Sequence, residues 1–212
     1  MTSQPRFRSL LAIFLLLGAP SLLTTTGCGV GKAAINKYDT LVDLDEECDE
    51  AWANVEDLYQ RRMDLLPNAV KIAKRVAAHE ADTLKAVTEA RASATQIKVT
   101  PEDLDDPEKM AKFQASQQEV AQSFGKLMHI AENYPQLKGD AGFMRLMDQL
   151  EGSENRISIG RQKFNKAVTK YNKELRHVSG HAMLVVIGDK EFKKRSRFKA
   201  QEGADKAPDL DL

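Results

Sequence analysis

The sequence is poor in the residue types that build disulfide-stapled folds and reactive sites. It has two cysteines, four histidines and one tryptophan among 212 residues. Stability must therefore come from a packed core and not from a disulfide framework. Basic and acidic side chains balance at 31 each, and this balance offers no bulk charge to nucleic acid. No nucleic-acid partner is predicted.

Catalytic and cofactor motifs are also missing. His79-Glu80 begins like a helical zinc-protease motif, but Thr83 stands where the second histidine ligand must be. Glu174-x-x-His177 is one half of a di-iron signature without the other half. The sequence has no glycine-flanked nucleophile turn and no phosphate-cradling loop. We therefore predict no enzyme activity, no catalytic residue, no metal site and no cofactor.

The N-terminus carries an export signal. Arg6 and Arg8 precede an uncharged run from Ser9 to Gly31. A basic start followed by a short apolar core and small residues is typical of a secretory signal. The apolar core, interrupted by Pro20, is shorter than the roughly 20 residues that comfortably span a bilayer. Residues 1–27 are predicted to be a signal peptide.

Cys28 is the candidate lipid attachment site. Thr26-Gly27-Cys28 resembles a bacterial lipoprotein processing site, although Thr25 stands where such sites usually carry leucine. The alternatives are an uncleaved signal that anchors as a helix, and ordinary cleavage. The charge rule places the rest of the chain on the extracytoplasmic, periplasmic side. If Cys28 is lipidated, sorting to an outer membrane is also open, because Gly29 and not aspartate follows it.

Apolar residues from Tyr38 onward recur at steps of three and four, which predicts helices. Thr100-Pro101 and Asp106-Pro107 are helix-start signals. Pro67 interrupts the first stripe. If Pro67 breaks the helix, four segments result, three of them near-equal in length, and favour an antiparallel up-and-down four-helix bundle. If Pro67 only kinks it, the alternative is a long first helix plus two more.

The same stripes set the predicted domain limits. The first stripe has Trp52 on its flank, and in the last helix the small residue Gly160 lets a neighbouring helix come close. The helical domain is predicted to cover residues 38–178. A linker, residues 28–37, precedes it, and a short, irregular and loosely packed tail, residues 179–212, follows.

Charged and polar residues occupy inward positions of these stripes. They are Arg62, Glu80, Glu154, Arg161 and Asn165. Burying an unpaired charge costs several kcal/mol, so we expect these groups to pair with one another or to line a wet cavity. We interpret them as a buried polar network that fixes helix register. The alternatives are a polar groove for a ligand or partner peptide, and solvent exposure.

A basic stretch near the C-terminus is interleaved with Phe192 and Phe198. Its cations are Lys190, Lys193, Lys194, Arg195, Arg197 and Lys199. This composition suits an anionic lipid surface or an acidic partner. The alternative is a solvated basic tail.

Several segments of the chain resemble segments of the LemA family, and they occur in the same order as in the family. They include Tyr38-Asp-Thr-Leu41, Asp49-Glu-Ala-Trp52-Ala-Asn54, Leu66-Pro67-Asn68, His79-Glu80, Tyr134-Pro-Gln-Leu137, Leu150-Glu-Gly-Ser-Glu154-Asn155-Arg156, Arg161 and Tyr171-Asn172. The resemblance implies a helical bundle attached to a bacterial membrane by its N-terminal segment. It implies no established enzymatic activity and no catalytic residues.

These observations predict a membrane-anchored protein of the bacterial cell envelope. Its predicted role is a non-catalytic interaction or scaffold protein with a protein partner in the envelope. The alternative role is a binding module for a small ligand or metal, in a polar seam around Glu80, Glu154 and Arg161.

Overall fold

A computed structural model of the protein describes residues 27–178 and 192–200. These residues contain helices and no strand, which confirms the all-α class. The helices are α1 (Gly27–Val76), α2 (Ala81–Gln96), α3 (Pro107–Asn133), α4 (Pro135–Gly139) and α5 (Ala141–Val178), with short 3₁₀ helices at Ala78–Glu80 and Pro101–Asp105. The chain divides into two units, Met1–Asn36 and Lys37–Leu212, and the packing below belongs to the second.

Pro67 does not end the first helix. Helix α1 continues through it to Val76, and the chain leaves helical geometry at Ala77, where φ is −112° and ψ is 52°. Because proline has no N–H, the carbonyl of Met63 loses its usual helical donor. The side chain of Arg91 on α2 replaces that donor, with Nε 2.8 Å from the Met63 oxygen. The side chain of Arg91, 28 positions after Met63, therefore replaces the helical hydrogen bond that is missing at the proline.

The Arg91→Ala variant is expected to lose about 1–2 kcal/mol of unfolding free energy, because the Met63 carbonyl is left without a donor. Urea denaturation followed by circular dichroism measures this loss. In a Pro67→Ala background, residue 67 supplies its own N–H, so the cost of Arg91→Ala should fall. An equal cost in both backgrounds would contradict the pairing of Arg91 with the proline defect.

The two predicted helix-start signals lie at helix starts. Asp106 caps α3, since its Oδ1 accepts from the N–H groups of Glu108 at 2.8 Å and Lys109 at 3.1 Å. The Thr100 N–H donates to Asp103 Oδ2 at 3.1 Å ahead of the 3₁₀ turn that begins at Pro101. Short polar side chains satisfy backbone N–H groups that have no partner inside the helix.

Helices α1 and α5 run in opposite directions and pack closely. Lys37 near the start of the unit pairs with Glu174 near the end of α5, and Arg62 pairs with Glu154 one third of the way along α5. Gly160 lies at the close approach between the two helices. A Cβ added there would meet Leu58 Cδ1 at 2.9 Å, so the predicted role of this small residue is confirmed.

The core consists of two apolar clusters. One surrounds the C-terminal half of α1, and includes Leu66, Val70, Leu84, Val87, Leu127, Phe143 and Leu150. The other surrounds the N-terminal half of α1, and includes Leu41, Cys48, Trp52, Val55, Phe113, Phe164, Val168 and Phe198. Trp52, which the periodicity placed on the flank of a stripe, is fully buried. The candidate site lies at the second cluster, which contains Phe198.

Candidate functional site

Residues 192–200, here called the C-terminal segment, are non-helical and lie against α1, α3 and α5. Phe198 is 5% exposed, and the Arg195 side chain is 11% exposed. This close packing differs from the loosely packed tail that the sequence predicts. The basic composition suggested solvation, but the acidic residues that neutralise it lie about 150 positions earlier in the chain. The surface under the segment is called the cleft below.

Three side-chain amides in the cleft hold the backbone of the segment. Asn172 accepts from the Arg195 N–H at 3.0 Å and donates to the Arg195 carbonyl at 2.8 Å. Asn165 accepts from the Phe198 N–H at 2.9 Å and donates to its carbonyl at 3.1 Å. Gln114 of α3 makes the same pair of bonds to Lys199, at 3.0 Å and 2.9 Å. Each side-chain amide therefore binds both the N–H and the carbonyl of a single residue, using its own acceptor and donor.

The spacing of the two asparagines sets the register. Asn165 and Asn172 are seven residues apart on α5, which corresponds to about 10.5 Å along a helix. Arg195 and Phe198 are three residues apart, and three residues span about 10 Å only when the chain is extended. The later asparagine binds the earlier segment residue, so the segment runs antiparallel to α5. The two lengths match, so both bidentate pairs form without strain.

Further hydrogen bonds hold the segment near its start, at its middle and near its end. The Tyr171 hydroxyl donates to the Lys193 carbonyl at 2.9 Å, and burial raises the pKa of this phenol, which keeps its proton in place. The Ser196 N–H donates to the Leu104 carbonyl at 2.6 Å. At the far end Arg161 Nη2 donates to the Lys199 carbonyl at 3.1 Å.

Arg195 occupies an acidic notch on α1. Its Nε donates to Asp45 Oδ1 at 2.7 Å, and its Nη1 donates to Asp49. The two aspartates are four residues apart, so they share one face of the helix. Burial lowers the pKa of this guanidinium, but the hydrogen bonds to the aspartates outweigh burial and raise it above its ordinary value. Arg195 is therefore a charged anchor with both carboxylates in contact.

Phe198 occupies an aromatic pocket. Its ring stacks on Trp52 with centroids 5.9 Å apart and meets Phe164 edge-on at 5.5 Å. The Arg161 guanidinium lies 4.8 Å from the centroid of the same ring. Trp52 is oriented in turn by the hydrogen bond from its Nε1 to the Val99 carbonyl at 3.1 Å. Aromatic contacts of this kind add to the free energy of apolar burial.

The five residues of the predicted polar network do not form one network. Arg62 is 1% exposed, and its Nη1 donates to Glu154 Oε1 at 2.6 Å. Arg161 and Asn165 instead hold the C-terminal segment. Glu80 precedes α2, where its Oε1 accepts from the Tyr134 hydroxyl at 3.3 Å. The pairing of Arg62 with Glu154 follows the expectation that inward charges pair, while Glu80 lies elsewhere because α1 ends at Val76.

Arg62 ties together three helices. Besides Glu154 on α5, it binds Gln117 on α3, with Nη2 3.0 Å from the Gln117 carbonyl and 2.7 Å from Oε1. Its carbon Cζ lies 5.2 Å from the Tyr59 ring centroid. Its Nε has no hydrogen-bond acceptor among the described residues. This arrangement is a closed structural contact between helices.

The sequence pattern does not identify several of the residues that form the cleft. Asp45, Asp49 and Gln114 read as ordinary polar positions on helix surfaces, because nothing local marks their partner in the C-terminal segment. The repeat of asparagine at Asn165 and Asn172 was the available signal, since a seven-residue spacing places both on one helix face.

The basic stretch finds acidic partners within the chain. Arg195 pairs with Asp45 and Asp49, and Lys193 Nζ lies 2.7 Å from Asp105 Oδ2. Lys194 and Arg197 remain exposed. Two cations of the basic stretch, Arg195 and Lys193, are therefore neutralised by acidic residues of the same chain.

Other predictions fall outside what the structure describes. Residues 1–26 of the predicted signal peptide lie outside the described residues, and so do Lys190 and the tail residues 179–191 and 201–212. Cys28 and the predicted linker 28–37 fall within α1. No described helix has both the length and the apolar character to cross a membrane. Across residues 27–178 and 192–200 there is also no cluster of three histidine, cysteine or acidic residues placed to hold a metal.

Cys48 next to the acidic notch predicts a loss of stability at alkaline pH. Burial raises the pKa of its thiol to about 12, while a thiol in an unfolded chain ionises near 8.5. Between these values the unfolded state binds fewer protons than the folded state, so stability falls as pH rises. We expect Cys48→Ala to remove about 1–2 kcal/mol of the loss between pH 8 and pH 10. Identical pH dependence of urea unfolding in both proteins would contradict this.

The described residues thus belong to an all-α protein. Its second core cluster includes a residue of the extended segment that lies in the cleft. The LemA family model matches residues 51–212, so the chain belongs to the LemA family. The match includes the C-terminal segment. Two curated relatives are Magnetosome protein MamQ 2 and Magnetosome protein MamQ 1 of Paramagnetospirillum magneticum. Each is 23% identical over 185 residues, covering 80% of this chain and 67% of the relative.

Proposed function

We propose that this chain is a non-catalytic interaction protein, tethered to a membrane of the cell envelope and exposed on its periplasmic side. The observation that carries the interaction role is the cleft, in which three amides bind the backbone of an extended segment. A surface that binds backbone in this way is built for polypeptide. The alternative, a ligand or metal in the polar seam around Glu80, Glu154 and Arg161, has less support because these residues bind different partners. Glu80 accepts from Tyr134, Glu154 accepts from Arg62, and Arg161 donates to the C-terminal segment.

We further propose that the framework is an antiparallel up-and-down four-helix bundle made of α1, α2, α3 and α5. Contacts between neighbours support it. Arg91 of α2 reaches Met63 of α1, Tyr134 after α3 reaches Glu80 before α2, and α1 and α5 run in opposite directions. Such a framework presents the cleft on a rigid support.

The tether is tested by lipid labelling of growing cells. The full chain should incorporate radiolabelled fatty acid and fractionate with membranes, because Cys28 follows an export signal. Cys28→Ala should lose the label, and the matched control Cys48→Ala should keep it. Membrane fractionation without label would contradict the lipid and favour a helix tether. Recovery of the wild-type chain in the soluble fraction would contradict any tether.

The interaction role is tested by photo-crosslinking in cells. A photoreactive amino acid replaces Lys194, which is exposed beside the cleft. The control position is Lys85 on α2, whose side chain is 72% exposed. We expect position 194 to capture a distinct polypeptide that position 85 does not. No specific polypeptide from position 194, together with a small molecule that copurifies reproducibly, would favour the alternative function.

A further inference from the structure

The cleft recognises mainly backbone. The six hydrogen bonds from Asn172, Asn165 and Gln114 all end on N–H and carbonyl groups. Every residue except proline carries both groups. Most positions of a bound segment can therefore vary in sequence without loss of these bonds.

Two side chains of the segment fill defined sites in the cleft, whereas Lys193 and Arg197 make exposed polar contacts to Asp105 and Thr169. Arg195 contacts Asp45 and Asp49, and Phe198 lies among Trp52, Phe164 and Arg161. The side chains between and beyond them are mostly exposed, at Lys194, Arg197 and Lys199. The cleft thus specifies an arginine and an aromatic residue three positions apart on an extended chain.

A groove of about 810 Å³ runs beside the segment on the α3 side. It is lined by Met110, Gln114 and Gln118 of α3 and by residues Lys194 to Ala200 of the segment. An incoming chain can contact this groove before the resident segment leaves. The resident segment is joined to α5 by residues 179–191 and is not part of any helix.

We propose that the cleft is a binding site for an extended segment of another polypeptide, with an arginine and an aromatic residue spaced as Arg-x-x-Phe, and that the C-terminal segment fills this site in cis. This rests on the proposed interaction function and names the chemistry of its partner. The acidic notch selects a basic partner segment, and the aromatic pocket selects the residue three positions on. Displacement of the resident segment frees the site.

The resident segment competes strongly with a free peptide, because it is covalently joined to the helical domain. Because the segment belongs to the same chain, its effective concentration at the cleft is on the order of 1 mM. For a free peptide that binds the empty cleft at about 10 μM, this competition weakens apparent binding about 100-fold. The empty and filled clefts should therefore differ by roughly this factor.

The test uses the full chain and a fluorescent peptide with the sequence of residues 192–200. In the Arg195→Ala, Phe198→Ala double variant the resident segment loses both anchors. Fluorescence anisotropy should show peptide binding to this variant about 100-fold tighter than to the wild type. A peptide with Lys194→Ala should bind equally well, and peptides with Arg195→Ala or Phe198→Ala should not bind. A helical double variant that fails to bind the peptide would overturn the proposal.

A second arrangement keeps the test decisive if the double variant unfolds. A protease site placed between residues 178 and 192 allows the wild-type chain to be nicked after folding. Uptake of labelled peptide by the nicked chain supports the proposal, whereas retention of the resident segment with no uptake overturns it. A stable wild-type dimer with exchanged segments would assign the site to a second copy and overturn the assignment to another polypeptide. Crosslinked partners in cells without any peptide binding would overturn this inference and leave the proposed function standing.

Discussion

The Phe198→Ala variant is expected to release the C-terminal segment and to lower the unfolding free energy by about 3 kcal/mol. Removing a buried phenylalanine typically costs about 3–5 kcal/mol of unfolding free energy. We expect the lower end of this range, because the polar groups of a released segment can form hydrogen bonds to water. The protein has a single tryptophan, and Trp52 stacks on Phe198. Its fluorescence therefore reports on this contact directly, while circular dichroism during urea denaturation gives the free energy.

The matched control is Lys194→Ala, which changes an exposed residue of the same segment. It should alter stability by less than about 0.5 kcal/mol and leave the tryptophan spectrum unchanged. A Phe198→Ala protein with the spectrum and stability of the wild type would show that the ring is not part of the core.

The Arg62→Ala variant is expected to lose about 3 kcal/mol of unfolding free energy. Removal of one partner from a buried ion pair costs about 3–5 kcal/mol, and here Glu154 retains partial contact with water because its side chain is 32% exposed. The variant also removes both bonds to Gln117. Urea denaturation measures the loss, and the helical signal before unfolding should be retained.

Arg61→Ala provides the control for Arg62, because the neighbouring arginine is exposed. Its effect should stay within about 0.5 kcal/mol. The Glu154→Gln variant should cost less than Arg62→Ala, because a glutamine oxygen still accepts from the guanidinium. An Arg62→Ala variant as stable as the wild type would show that the contact of Arg62 with α3 and α5 does not contribute to the unfolding free energy.

The existence of the helices could be predicted from the sequence, but one boundary could not. Steps of three and four between apolar residues mark α1, α3 and α5, and the capping pair at Asp106 and Pro107 marks the start of α3. The sequence left open whether Pro67 breaks or kinks the first helix, because the local rule for proline does not account for a distant donor. Helix α1 continues through Pro67. Arg91 supplies that donor from the next helix, and no local pattern announces it.

The candidate site was less predictable than the fold. Periodicity identified four inward polar residues, but it could not predict their partners. Arg62 pairs with Glu154, whereas Arg161 and Asn165 bind the C-terminal segment. The packing of the C-terminal segment depends on Asp45 and Asp49, which lie on a different helix. Composition alone predicts a basic tail. In the fold, the side chains of Arg195 and Phe198 bind to the acidic notch and to the aromatic pocket.

Hydrogen exchange of individual backbone amides in the C-terminal segment tests the central claim most directly. The amides of Arg195, Phe198 and Lys199 donate to cleft side chains, so two-dimensional NMR should show them exchanging at least roughly 100-fold more slowly than in the free peptide. The Lys194 amide, which has no acceptor among the described residues, should exchange quickly. Exchange of all four at free-peptide rates would contradict the account.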